Sequence, residues 1–400
     1  MPLYLSRPLY LSRPRLRSLS SRQEPHPWPR RMRSGLLAMI SLLTTISAVE
    51  AVARADDPTP LPRVMIIATG GTIAGVQDDP ENPSRYRAGS LTAEQIIASV
   101  PGLEDVAEVE TEQFSNIPST RIKPSDWVRL SLRINTLLSE RSDLAGVVVT
   151  HGTDRLEESA FFLHLTVDSD KPVVVVGAQR PATSASADGP ANLLAAVRTA
   201  VAAASRDRGT LVVMDERILS ARVVRKDYPR VGGFGTGLIG LVNSEGPHYL
   251  YRPTRPHTHR SEFRVSEDTE LPAVDLVFSY SGGLGPSYGD QPPAGVVVAT
   301  TNMTCDEGLA FRALARAGTP VVAAFPTGES LRSVNPVRDE APQRSRDSCD
   351  ELAGDPRWDG EWIPPLPARM LTPQKARILL MLALEQTRER GELERIFTTY

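Results

Sequence analysis

An α/β fold of two doubly wound domains with mainly parallel sheets is predicted by three observations. Short Val- and Ile-rich runs recur along the chain, helical patterns alternate with them, and one Pro-rich stretch interrupts the rhythm. The apolar runs lie at 64–68, 146–150, 173–177, 211–214, 276–278, 296–300 and 321–325. They are continuous rather than alternating, as expected of parallel strands covered on both faces. Helical spacing of apolar residues appears at 91–100, 125–139, 156–166, 191–204 and 307–317. A final helix is expected at 373–390, with Thr372 as N-cap and Pro373 at the first helical position. Ile378, Leu379, Leu382 and Leu384 would give that helix a buried face. Residues 248–272, with three prolines, break the alternation. The expected organisation is therefore a domain at 60–250, a linker at 251–271 and a smaller domain at 272–400.

The composition, 40% hydrophobic and 23% charged over 400 residues, belongs to a globular chain and excludes disordered, collagen-like and disulfide-scaffold classes. Residues 1–55 hold nine arginines against two acids, which leaves 36 basic against 46 acidic residues in the rest, a net of −10. An acidic body argues against nucleic acid as a partner. Arg30, Arg31 and Arg33, then the apolar run 35–49, then Ala53-Arg54-Ala55, read as a secretory signal peptide cleaved after Ala55. A retained membrane anchor is the alternative, and Glu50 and the hydroxyl residues within the run oppose it. Upstream, Pro2-Leu3-Tyr4-Leu5-Ser6-Arg7 repeats as Pro8-Leu9-Tyr10-Leu11-Ser12-Arg13, and Met32 is the expected translation start. The expected location is periplasmic or secreted, with no membrane association once the signal is removed. Cys305 and Cys349, 44 positions apart, either close one disulfide loop in an exported chain or remain two thiols. Neither has a Cys or His neighbour at metal-ligand spacing, so no zinc site is expected.

In open α/β sheets ligands bind beyond the carboxyl ends of strands, so the residues that follow each run carry the chemistry. The first run is followed by Thr69-Gly70-Gly71-Thr72, where two glycines allow a sharp turn and close backbone approach. A plain structural turn is the alternative, and neither a dinucleotide fingerprint nor a phosphate-binding loop is present. The second run is followed by His151-Gly152-Thr153-Asp154, a hydroxyl and a carboxylate at a helix start, with simple helix capping as the alternative. His151 reads as a packed structural group.

Together, the Thr-Gly-Gly-Thr turn and His151-Gly152-Thr153-Asp154 with Glu157-Glu158, about 80 residues apart, resemble the bacterial type II L-asparaginase (asparaginase/glutaminase) family. Further segments extend the resemblance: Glu112-Gln113 through Ser119, Asp170-Lys171-Pro172, Ser186-Ala187-Asp188-Gly189-Pro190 and Thr372-Pro373-Gln374-Lys375-Ala376-Arg377. The resemblance implies an exported enzyme of asparagine catabolism that converts L-asparagine to L-aspartate and ammonia, with L-glutamine as a second substrate. It implies Thr72 as nucleophile, Tyr86 as the tyrosine closing over it, and Thr153, Asp154 and Lys226 as a second catalytic group. Ser119, Thr120, Thr153 and Asp154 would hold the substrate's α-amino and α-carboxylate groups. No metal or organic cofactor is implied, and a homotetramer with sites shared between subunits is.

The residue chemistry agrees. A threonine alcohol is a weak nucleophile until a neighbouring base accepts its proton, and an amide attacked by it develops an oxyanion that backbone N–H groups can stabilise. The pattern also departs from the family. Arg155 stands where a threonine is usual, Gly282 and Asn335 stand where an asparagine and a glutamate from a neighbouring subunit are expected, and Glu329 or Glu340 would have to substitute for the glutamate. Residues 336–367 form a charged insertion. A catalytically weakened periplasmic amino-acid-binding protein of the same fold is the competing reading. The amide-hydrolysing subunit of a tRNA-dependent amidotransferase is a third, disfavoured by the export signal and the acidic body.

Overall fold

The computed structural model describes residues 60–79, 85–328, 349, 355–359 and 363–400. Residues 1–59, with the expected signal peptide, the Glu329, Asn335 and Glu340 positions and most of the 336–367 insertion lie outside the described residues.

The chain runs β1 (Arg63–Gly70), β2 (Val76–Gln77), β3 (Tyr86–Arg87), α1 (Ala93–Ile97), β4 (Glu108–Ile117) and α2 (Pro124–Glu140). It continues through β5 (Leu144–Thr150), α3 (Leu156–Thr166), β6 (Val173–Val176), α4 (Gly189–Val201), β7 (Thr210–Met214) and β8 (Arg217–Ser220). Then come β9 (Leu238–Asn243), β10 (Gly246–Tyr249), β11 (Val274–Phe278), β12 (Gly295–Ala299), α5 (Cys305–Arg316) and β13 (Val321–Ala324). Last are β14 (Leu366–Pro367), α6 (Pro373–Leu384) and α7 (Arg390–Thr399).

Eight strands form one sheet in the order β10-β9-β8-β7-β6-β5-β1-β4, and β11-β12-β13-β14 form a second. Every pair from β4 to β7 is parallel, as are all pairs of the second sheet, so the fold is α/β as expected. Strands β8, β9 and β10 extend the first sheet antiparallel and were not foreseen. They alternate or mix polarity, as in β9 with Leu241 and Asn243 exposed, so no continuous apolar run marks them. Strand β4 was missed for the same reason, since it lies at the sheet edge and carries five charged or amide side chains among its ten residues.

The period of two sorts each central strand between two cores. Val64 and Ile66 of β1 pack with Leu193, Ala196 and Val197 of α4, while Met65 and Ile67 pack with Leu130, Ile134 and Leu137 of α2. Helix α3 is buried on every side, because one face lies on the first sheet and Phe161, Phe162 and Leu165 join the cluster around α6 that covers the second. Helix α6 likewise buries Ile378 through Leu384, more than the single face expected. It stops at Leu384 rather than reaching 390. A new helix, α7, starts with Glu389 as N-cap, its carboxylate accepting from the Gly391 and Glu392 amides at 2.9 and 2.6 Å. The Thr372 cap is present, its hydroxyl accepting from Lys375 N. Residues between β10 and β11 bury His257, Thr258, Ser261 and Phe263. Cys305 and Cys349 are joined by a disulfide that pins the described part of the insertion to the start of α5.

Candidate active site

Strand β1 pairs with β4 on one side and β5 on the other, yet the chain visits β4 first and then crosses to β5. This reversal opens a crevice at the carboxyl ends of these three strands. It gathers Thr72 after β1, Ser119 after β4 and Thr153 after β5, which are widely separated in sequence.

Two glycines make the convergence tight. Gly71 has φ +84°, a left-handed conformation that strains any residue with a Cβ. A Cβ there would also lie 2.3 Å from Gly152 Cα, so the β1 and β5 turns meet backbone to backbone. A Cβ on Gly152 would stand 2.8 Å from Ser119 Oγ, which places Ser119 on the far side of the same contact. Thr72 and Thr153 each follow a glycine of this contact. Ser119 is buried at 3% exposure, and Thr120 beside it is exposed.

Thr72 opens a single 3-10 turn, Thr72–Ala74, and is buried. Its Oγ1 lies 2.8 Å from the Tyr86 hydroxyl. Tyr86 reaches it because β2 and β3 pair as a short antiparallel ladder, Gln77 opposite Tyr86. The return is held by Gly89 N donating to Gly71 O at 3.0 Å and Ser90 N to Ala74 O at 2.7 Å. The tyrosine ring lies on Gly75, where a Cβ would come within 2.9 Å of ring atom Cδ2. The Thr69 hydroxyl, by contrast, is spent on Thr150 O at 2.8 Å and ties β1 to β5.

Lys226 arrives from the loop after β8 and donates from Nζ to Thr153 Oγ1 at 2.8 Å and to Asp154 Oδ1 at 2.6 Å. Its side chain is 15% exposed against 59% for Asp154, so the pair stands at the crevice wall rather than in open solvent. Neither Thr153 nor Asp154 caps α3, whose N-cap position, Arg155, has no side-chain cap bond. The capping alternative for this segment therefore falls away. His151 is fully buried with Nδ1 2.7 Å from Gly152 O, and burial pushes its pKa down to about 4, leaving it a neutral brace for the turn. Arg155 directs its charge to Glu158 at 3.4 Å and to Asp154 O at 3.2 Å, along the helix start.

Two groups went unremarked as individuals in the sequence. Glu157 is buried, its pKa raised by that burial, and its Oε2 accepts from the Lys226 backbone N–H at 3.2 Å. Lys375, wholly buried on α6, donates to Arg222 O and Val224 O just before Lys226. Both sit inside motif segments already visible, Glu157-Glu158 and Thr372-Pro373-Gln374-Lys375. Gly282 stands at φ +76° on the turn after β11, where a Cβ would meet nothing within 4 Å, while buried Glu307 anchors that turn through Ser279 Oγ and Tyr280 N. Among the described residues no group of three or more His, Cys, Asp or Glu side chains is placed to hold a metal ion.

The fold and the hydroxyl-bearing strand ends define an α/β amidohydrolase. A family model described as Asparaginase, N-terminal matches residues 63–242. The chain is 38% identical to L-asparaginase 2 of Bacillus subtilis (strain 168), over 87% of this chain and 89% of that one. It is 35% identical to glutaminase-asparaginase of Pseudomonas fluorescens biotype A, over 92% and 97% respectively. A crystal structure of probable cytoplasmic L-asparaginase from Campylobacter jejuni superposes with a TM-score of 0.73 at 34% identity, covering 85% of this chain and all of the other. The chain belongs to the asparaginase family.

Proposed function

We propose that this protein hydrolyses L-asparagine to L-aspartate and ammonia through a Thr72 acyl-enzyme, with L-glutamine as a slower or parallel substrate. The observation that carries the reading is the pairing of two hydroxyls with two proton-handling groups around one glycine contact: Thr72 with Tyr86, and Thr153 with Lys226.

In the first half-reaction Tyr86 relays a proton: its oxygen accepts the Thr72 Oγ proton while its own proton passes towards the amide nitrogen, and Oγ attacks the amide carbon. The carbonyl oxygen becomes an oxyanion facing N–H groups of the two Gly–Thr turns. Collapse breaks the C–N bond, the leaving nitrogen takes a proton and departs as ammonia, and an ester on Thr72 remains. Thr153, held by Lys226, orients the water that cleaves this ester and returns the proton to Thr72. Asp154 offers Oδ1 to Lys226 and keeps Oδ2 for the substrate's ammonium, while Ser119 and Thr120 receive the α-carboxylate. One methylene separates the two substrates, a difference that binding discriminates by only about 1–3 kcal/mol.

The same reading includes the division into a catalytic domain at 60–250, a linker at 251–271 and a second domain at 272–400. It also includes export through the 1–55 segment and assembly as a homotetramer. The amino-acid-binding alternative gains nothing from the site, where both hydroxyl pairs are formed. The test is ammonia release by the purified full-length protein from each amide, with Thr72→Ala as control. Turnover should fall at least about a thousandfold in the variant. A wild type that binds asparagine by calorimetry yet releases no ammonia would overturn the proposal.

A further inference from the structure

Among the described residues Lys226 sits on a segment that no extended ladder holds, and its β-pairing is an isolated bridge to Phe234. Its Nζ nevertheless meets two targets at 2.8 and 2.6 Å, which demands that the backbone be fixed from elsewhere. We propose that Lys375 is a positioning residue for Lys226. It grips the carbonyls of Arg222 and Val224 from below while Glu157 holds the Lys226 N–H, so that helix α6 sets where the Lys226 ammonium stands. The proposal rests on the role assigned to Lys226 above.

The chemistry argues for a specific use. A fully buried ammonium is costly unless its protons are satisfied and an opposite charge is near. Lys375 spends its donors on main-chain carbonyls, and Glu157 is the carboxylate whose field favours the charged form, while Arg222 and Arg225 oppose it. Burial brings the Lys375 pKa down to about 7, which marks a substantial desolvation penalty on its charged form. An apolar side chain would fill the same place in the α6 core without that penalty. Two arginines also fasten the same stretch to the C-terminal part of the chain. Arg225 Nη1 donates to Thr327 O at 2.6 Å, and Arg222 donates from Nε and Nη2 to the Tyr400 main-chain oxygen at 2.9 and 2.6 Å. All of these fasten backbone or arginine stems within four residues of Lys226, and Lys375 is the one that touches the carbonyls directly. The device lets the second sheet's helix layer position a side chain belonging to the first sheet's crevice.

A double-mutant cycle of Lys375→Met and Lys226→Met, read as kcat and KM for L-asparagine, tests this. Lys375→Met should lower kcat by between about tenfold and about a hundredfold, as misplacement of a reacting group does, with KM within about threefold. In the Lys226→Met background the same substitution should change the residual kcat by less than about twofold, because its route of action is already gone. Equal losses in both backgrounds, or a folded Lys375→Met protein with kcat within twofold of wild type, would overturn the proposal. Should Lys375→Met fail to give a cooperative thermal transition, Glu157→Gln carries the same cycle, since it keeps an acceptor for Lys226 N and removes the charge facing Lys375. Wild-type kcat in Lys226→Met alone would instead defeat the underlying assignment of Lys226, a result read before the cycle is closed.

Discussion

Replacing Tyr86 by Phe removes one oxygen and leaves the ring on Gly75, so the β2–β3 hairpin keeps its packing and the effect isolates the hydroxyl 2.8 Å from Thr72. Two magnitudes bracket the outcome. If the hydroxyl only anchors Thr72 in the resting enzyme, its loss costs an ordinary neutral hydrogen bond, about 0.5–1.5 kcal/mol, and kcat falls by at most about tenfold. If it accepts the Thr72 proton as Oγ attacks, the loss is that of a general base, about 10²–10⁴-fold or roughly 3–5 kcal/mol on the barrier. The second is expected, because Thr72 is buried at 7% exposure and the tyrosine oxygen is its only side-chain hydrogen-bond partner among the described residues. Steady-state ammonia release over a range of asparagine concentrations separates the two, with KM within about threefold of wild type in either case. A kcat within tenfold of wild type would refute the base role and leave Tyr86 as a lid.

The remaining expectations are independent of that one. Arg155→Thr removes a half-exposed cation paired with the buried Glu158, so stability should fall by about 1–2 kcal/mol in denaturant unfolding while kcat/KM moves by less than about threefold. Loss of the Cys305–Cys349 bond by Cys305→Ser with Cys349→Ser frees a loop closed across 44 positions and should lower stability by up to about 4 kcal/mol, read as a fall in Tm that reductant reproduces in the parent. His151 and His257 are buried as neutral rings with pKa pushed down to about 4, and burial holds His164 well below its ordinary value. Their folded pKa values lie below the unfolded value, so the stability they contribute is complete above about pH 6.5 and is lost as the pH falls towards 4, by up to roughly 3 kcal/mol for each of the first two. Urea midpoints measured from pH 7.5 to 4.5 should decline through that window, and a flat profile would contradict the burial argument.

Much of this molecule is legible in its sequence because parallel strands and their helices write a simple pattern. The runs at 146–150 and 173–177 mark β5 and β6, and the 156–166 spacing coincides with α3. Buried parallel strands must be apolar on both faces, and a cap such as Thr372 is a local bond between neighbours in the chain. The site motifs were legible for a related reason: a glycine that touches another backbone and a hydroxyl beside it leave a fixed local signature, as at Gly71-Thr72 and Gly152-Thr153. What sequence periodicity does not carry is anything decided across the fold. Edge and antiparallel strands such as β4 and β9 have a wet face and no continuous run, and α6 ends at Leu384 where the capping of α7, not local propensity, divides the two helices.

The sequence by itself determined the fold class and the family, and it pointed to the candidate reacting groups, because these rest on side-chain type and short spacings. Only the tertiary structure decided which hydroxyl faces which base. Thr69 and Thr72 are equivalent candidates in a Thr-Gly-Gly-Thr turn, yet the bulge after Ala68 aims one at Thr150 O and the other at Tyr86. Lys226 is one of several cations in a basic stretch until Glu157 and Lys375, 69 and 149 positions away, fasten its backbone so that its ammonium meets Thr153 and Asp154. The physical reason is the reach of the interactions: hydrophobic periodicity and capping act within a few residues of the chain, whereas the satisfaction of a buried charge is settled by whichever elements the packing brings together.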